Sequence, residues 1–245
     1  MKCLILAAGY ATRMYPLTKD FPKPLLPVKE KAILEYLLED LEENCNIKEY
    51  FIVTNHRFIL QFEEWKESLA YKDKVVLFDD GSTENENRLG AVKDIEFVIK
   101  QAEIKDDLLI LAGDNLLDFS LKVFVEEFCK TKHNMVMCHK EENIEKLRKT
   151  GVAELSDTGL ILNMEEKPIV PKGTYAIPPF YIFTQKILPT IQEGINMGCP
   201  SDSPGGFLSW LCKREEVYAM KMPGKRYDIG SLESYETVCK GLEQF

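Results

Sequence analysis

Short, continuous apolar runs alternate with amphipathic stretches through the first 140 residues, and no other feature limits the folding of this chain as tightly. Segments 2–7, 49–54, 74–78, 108–112 and 134–139 read as buried strands because each is brief, apolar and bounded by turn formers. Between them the spacing predicts helices over 32–43, 58–69, 91–102 and 121–130. In the first of these, Ile33, Leu34, Tyr36, Leu37 and Leu41 share one face and leave the acids outside. That alternation predicts an α/β fold, with a mixed, mainly parallel sheet flanked by helices on both faces. Beyond Gly151 the strand-like pieces 152–155, 160–164 and 175–183 look more antiparallel. Helices at 185–196 and 207–213, a strand at 217–222 and a helix from Ser231 complete the series. With no internal repeat and no linker, the 245 residues are expected to form a single domain, 1–245.

Composition closes off several function classes. Hydrophobic residues make up 45%, with 14 Gly and 12 Pro, so a disordered or collagen-like chain is excluded. A formal charge of −9 argues against a broad surface for nucleic acid or for an anionic membrane. Seven scattered cysteines with no C-x-x-C pair predict neither structural zinc nor a disulfide framework. The N-terminal apolar run, 3–8, is too short for a signal h-region or a membrane span, and a reducing cytosol is the expected compartment.

Residues 8–31 carry four prolines, Pro16, Pro22, Pro24 and Pro27, and are expected to form a long loop without regular structure. Six cations against two acids give residues 1–31 a local charge of +4. At the carboxyl end of the first strand, Gly9 makes a turn whose backbone N–H groups can approach a nucleotide, or that simply reverses the chain. Neither G-x-G-x-x-G nor a Walker A motif fits, since positions 11 and 14 are Ala11 and Met14. Lys23, clamped between Pro22 and Pro24, loses little entropy on meeting an anion. Asp114 follows an apolar strand at the edge where ligands bind in such sheets. Together with Asp228 it fits Mg²⁺, which takes one or two carboxylates plus substrate phosphates. A turn or cap residue is the alternative for each acid.

The run Leu6-Ala7-Ala8-Gly9-Tyr10-Ala11-Thr12-Arg13, with Pro16, Thr18 and 22–28 (Pro-Lys-Pro-Leu-Leu-Pro-Val), resembles the signature of sugar-1-phosphate nucleotidylyltransferases. The resemblance continues in order through Arg88-Leu89-Gly90-Ala91, Ala112-Gly113-Asp114-Asn115, Gly151-Val152, Glu165-Glu166-Lys167-Pro168 and Asp228-Ile229-Gly230. It implies a Rossmann-like nucleotidyltransferase fold and an Mg²⁺-dependent enzyme joining a nucleoside triphosphate to a sugar 1-phosphate with release of pyrophosphate. The expected pair is dTTP or UTP with glucose 1-phosphate. By the same resemblance, Arg13 and Lys23 are catalytic, and Asp114 and Asp228 hold the metal. Ala7, Ala8, Gly9, Asp80, Gly81 and Gly90 bind the nucleotide, while Gly151, Glu166 and Lys167 bind the sugar phosphate. The chemistry asks mainly for positioning and charge neutralisation, so three histidines are no obstacle.

Three departures from the family pattern stand out. Ala11 replaces a glycine, with a consequence for how the loop closes on phosphates; Arg226 replaces a common Trp; Thr150 replaces a common Tyr. With the chain stopping at Phe245, no hexapeptide β-helix and no acetyltransferase activity are expected. The rival readings are a phosphocholine-type cytidylyltransferase and a catalytically silent nucleotide-sugar-binding regulatory subunit. The first would need an aromatic cage, for which Tyr175, Phe180, Tyr181, Trp210 and Tyr227 are available. Self-association into a homo-oligomer is left open.

Overall fold

The computed structural model describes residues 1–241; positions 242–245, included above in the expected single domain, lie outside the described residues. In chain order the elements begin with β1 (Lys2–Leu6), β2 (Pro27–Val28), β3 (Lys31–Ala32), α1 (Ile33–Asn44), β4 (Tyr50–Thr54), α2 (Ile59–Glu67) and β5 (Val75–Asp79). Next come α3 (Ala91–Gln101), β6 (Leu108–Ala112), β7 (Asn115–Leu117), α4 (Lys122–Thr131), β8 (Asn134–Lys140) and α5 (Ile144–Leu147). The series ends with β9 (Gly151–Leu155), β10 (Ile161–Glu166), β11 (Tyr175–Ile177), β12 (Phe180–Phe183), α6 (Leu188–Asn196), α7 (Pro204–Leu211), β13 (Val217–Lys221), β14 (Arg226–Asp228) and α8 (Leu232–Gly241). Two compact units form: unit one from Met1–Arg88, Ala112–Val123 and Pro223 onward, unit two from Leu89–Leu111 and Phe124–Met222.

In unit one, β1, β4 and β5 form a parallel ladder with Ile5 opposite Ile52 and Ile52 opposite Leu77. All five β4 side chains are buried, as a strand covered on both faces requires. Helix α1 buries Ile33, Leu34, Leu37, Leu38 and Leu41. A second cluster joins the proline-rich stretch to the chain's last segments: Met14, Leu26 and Val28 pack with Ile33, Leu116, Ile229 and Val238. Each such fully buried side chain contributes roughly 1.5–3 kcal/mol. Contrary to expectation, residues 8–31 are not wholly irregular, because they contain two 3₁₀ turns, Thr12–Met14 and Lys23–Leu25, and the strand β2. The prolines permit this: Pro24 occupies the first turn, where no N–H is needed, and β2 pairs with β3 over two residues only.

Unit two is organised around β8, which pairs with β11 and β12 antiparallel and with β13 parallel. Strand β9 pairs antiparallel with β10 and β11, in keeping with the antiparallel character expected beyond Gly151. The strand expected over 175–183 is two strands, because Pro178 and Pro179 cannot donate to a ladder. Helix α7 starts at Pro204 rather than 207, with proline in the first turn. Among the described residues, no helix is long and apolar enough to cross a membrane.

Candidate active site

The first motif occupies the end of β1 in unit one. Ala7 and Ala8 are buried and Gly9 is exposed. Ala7 N donates to Val53 O at 2.9 Å, and Asn55 Nδ2 donates to Ala8 O at 3.0 Å, so Asn55 at the end of β4 fixes the turn. A Cβ on Gly9 would meet nothing within 4 Å, which leaves open space beside its backbone. Ala11 adopts φ 46, ψ 40, the left-handed region in which the family's usual glycine is at ease. The alanine thus keeps a glycine-like conformation; its carbonyl oxygen accepts from Thr18 Oγ1 at 2.8 Å and from Met14 N at 2.9 Å. Residual strain of this kind collects at functional sites.

Cations and acids meet next to that turn. Lys23 Nζ donates to Asp114 Oδ2 in a short contact and to Ile229 O at 2.8 Å. Strands β7 and β14 pair with Asp228 opposite Asn115, and Ile229 N donates to Asp114 O at 3.2 Å, so the backbones of the two predicted metal ligands lie on adjoining stretches, one residue out of register. Arg226, the departure from the usual Trp, donates through Nη1 to Asn115 Oδ1 at 2.5 Å and lies 3.5 Å from Asp228 Oδ1. A Cβ on Gly230 would stand 3.4 Å from Asp228 Oδ2 and 3.9 Å from Arg13 Nη2, which brings Arg13 to the same spot. Burial opposes the charge on Asp114. The Lys23 ammonium, by its field and then its hydrogen bond, together with Arg226, nevertheless holds this carboxyl below the usual carboxylate range.

Asp80 and Gly81 follow β5. Asp80 Oδ1 accepts from Ser82 N and Ser82 Oγ, both at 2.7 Å, while its Oδ2 is buried without a partner among the described residues. Burial lifts this carboxyl above its ordinary range, against the Ser82 hydrogen bonds. Its side chain therefore faces the protein and leaves the backbone for any ligand. Gly81 has φ 77, a conformation that selects glycine, and open space where a Cβ would be.

The remaining predicted residues lie in unit two. Gly90 has φ 92, and a Cβ there would stand 2.7 Å from Ser201 O, so the close neighbour that demands glycine is the protein's own backbone. Gly151 and Glu166 are register partners in the β9–β10 pair. Ser203 Oγ donates to Glu166 Oε1 at 2.6 Å. Lys167 Nζ is 3.9 Å from the same oxygen, and Lys167 takes φ 47 directly before Pro168, an unusual pre-proline conformation. Sequence reasoning missed Asn55, Ser203 and Gly205, whose partners are distant in sequence, and Ser82, whose partner Asp80 is only two residues away. Asn115 stood inside a motif and Arg226 was noted only as a departure from the common Trp, and nothing local revealed that they bond each other.

An α/β scaffold that collects cations and acids at strand ends defines a class of phosphate-handling proteins. The chain belongs to the nucleotidyl transferase family, whose model matches residues 2–244. It is 26% identical over 232 residues to the bifunctional protein GlmU of Methanocaldococcus jannaschii, covering 94% of this chain and 51% of that protein. It is 24% identical over 249 residues to a UTP–glucose-1-phosphate uridylyltransferase of Synechocystis sp., covering 99% and 63%. The chain thus spans about half to three-fifths of the length of these curated relatives. A crystal structure of UDP-glucose pyrophosphorylase complexed with UDP-glucose aligns with TM-score 0.80 and 25% identity over 98% of this chain and 97% of that one. The fold is that of the Rossmann-like nucleotidyltransferases, a mixed sheet flanked by helices.

Proposed function

We propose that this chain transfers a nucleotidyl group from a nucleoside triphosphate to a sugar 1-phosphate. A phosphate oxygen of the sugar 1-phosphate bonds to the α-phosphorus as the α–β P–O bond breaks, and pyrophosphate departs. The observation that carries this reading is the convergence of Lys23 and Arg13 on Asp114, Asp228 and Gly230 in a chain of this family. Two fixed cations neutralise the reacting phosphates and the leaving pyrophosphate; the flexible reactants are the part that must be positioned. Ala7, Ala8, Gly9, Gly81 and the backbone at Asp80 and Gly90 are assigned to the nucleotide; Gly151, Glu166 and Lys167 are assigned to the sugar phosphate.

Asp114 and Asp228 are proposed to hold Mg²⁺. Among the described residues no group of three or more His, Cys, Asp or Glu is placed to bind a metal, so the reading rests on these two acids alone. Two carboxylates, with the remaining positions left to phosphate oxygens and water, is a set that Mg²⁺ accepts. When bound, the ion supplies positive charge against the phosphates. Lys23 keeps Asp114 ionised and thus ready as a ligand.

Glucose 1-phosphate with UTP or dTTP is the proposed substrate pair, UTP being favoured by the names of two of the compared proteins. The phosphocholine alternative is weakened by the aromatic side chains. Lys221 Nζ lies 5.4 Å over the Tyr175 ring, and Arg214 lies 4.1 Å over Trp210. Phe180 and Tyr181 are buried, and Tyr227 packs on the unit-one cluster. These rings do not form a free cage for a quaternary ammonium. A cytosolic location remains part of the proposal, and self-association stays open. Pyrophosphate release from a grid of nucleoside triphosphates against sugar 1-phosphates and phosphocholine, with and without Mg²⁺, tests the reading. One strong metal-dependent cell with a sugar 1-phosphate supports it; turnover with phosphocholine alone, or a blank grid, overturns it.

A further inference from the structure

The Glu166 carboxylate is enclosed from more sides than its own motif reveals. Ser203 Oγ donates to Oε1 at 2.6 Å. Oε2 faces two glycines: a Cβ on Gly151 would lie 3.1 Å from it, and a Cβ on Gly205 would overlap it. Ser203 and Gly205 flank Pro204, the first residue of α7, so one turn supplies both the hydroxyl and the space. That turn is itself anchored. Val92 N donates to Ser201 O at 3.0 Å and Ala91 N to Asp202 O at 3.3 Å, while Ser209 Oγ further along α7 donates to Met164 O at 2.9 Å. Helix α7 and strand β10 are thereby joined at two points.

A glutamate free to rotate must be ordered each time it receives a ligand; one held by a hydroxyl on a fixed turn has met that cost during folding. The hydroxyl engages one oxygen and leaves further lone pairs for ligand donors. We propose that Ser203 is a positioning residue for the acceptor: in the space left by Gly205 it fixes the Glu166 carboxylate in the orientation that receives hydroxyls of a sugar 1-phosphate. This rests on the reading of Glu166 as an acceptor contact.

Steady-state kinetics with glucose 1-phosphate, UTP and Mg²⁺ test it, using Ser203→Ala, Ser203→Thr, Glu166→Gln and a double variant that combines Ser203→Ala with Glu166→Gln. Ser203→Ala is expected to raise the KM for glucose 1-phosphate about three- to tenfold, the range of one hydrogen bond, with the KM for UTP and the melting temperature unchanged. Ser203→Thr restores the wild-type value, and the double variant is no worse than Glu166→Gln alone. If Glu166→Gln raises the acceptor KM while Ser203→Ala leaves it at wild type, Ser203 does not position the carboxylate. A rise in both KM values with a lower melting temperature marks a merely structural hydroxyl and equally overturns the proposal. Should Glu166→Gln itself leave the acceptor KM unchanged, the assignment of Glu166 falls first, and the role of Ser203 with it.

Discussion

The two units present their proposed ligand groups by different means. In unit one two of the groups stand where strands end, 7–9 after β1 and 80–81 after β5, while Asp114 directly precedes β7. The parallel ladder of β1, β4 and β5 sends carboxyl ends to one edge, so direction alone puts 7–9 and 80–81 at that edge. In unit two the antiparallel β9–β10 pair sets the first residue of one strand, Gly151, opposite the last of the other, Glu166. There the register does the gathering, and a turn from α7 completes it. Unit one balances cations against acids, whereas unit two holds a single carboxylate in a notch between glycines.

Perturbing the charge balance of unit one should have the largest effect. Lys23→Ala removes a cation from the reacting phosphates and leaves Asp114 without its ammonium partner; turnover is expected to fall on the order of 10²–10³-fold. Wild-type turnover in that variant would remove Lys23 from the site. Next in size, Glu166→Gln should raise the KM for the sugar 1-phosphate roughly ten- to a hundredfold, as loss of hydrogen bonds to a charged group does, and leave the KM for the nucleotide alone. An effect confined to the nucleotide would abolish the division of labour between the units.

Asp80→Asn sharpens the contrast further. Asp80 has a raised folded pKa, so its contribution to stability is complete at low pH and is lost as the pH rises through the carboxylate range, above about 4. Denaturant midpoints followed against pH should therefore fall for the wild type relative to the variant over that rise. Parallel curves would mean that burial does not control this group. Ala11→Gly is the smallest change, within about 1 kcal/mol, because relief at a left-handed position is offset by greater freedom of the unfolded chain. A large loss of stability on that substitution would show that the alanine methyl is itself needed.

The sequence announces unit one better than unit two. The apolar runs of β1, β4 and β5 are unmistakable, and in a parallel sheet a strand end is already a candidate site, so 7–9 was legible; Asp114 was legible by its apolar run at 108–112. Strands β7 and β14 were not, since three residues carry no periodicity and each is defined only by the other. For the same reason the Arg226–Asn115 bond, which spans 111 residues, left no local trace. Glu166 was legible only by its motif; Ser203 and Gly205 lie 37 and 39 positions away, and a serine before a proline reads as an ordinary helix start. The double proline at 178–179 was visible, yet the apolar residues on both sides disguised the break.

The Lys23–Ile229 bond joins residues 206 positions apart, and β7 waits for β14 across more than a hundred. Residues 89–222 hold all of unit two, whereas unit one needs segments from the beginning, middle and final part of the chain. During synthesis, therefore, the part of the chain made first is not the part finished first. On a ribosome, β1, β4 and β5 can pair early, but β7 has no partner until residues 226–229 emerge from the exit tunnel. Nascent chains halted before that point would keep Lys23 and Asp114 unsecured by Ile229.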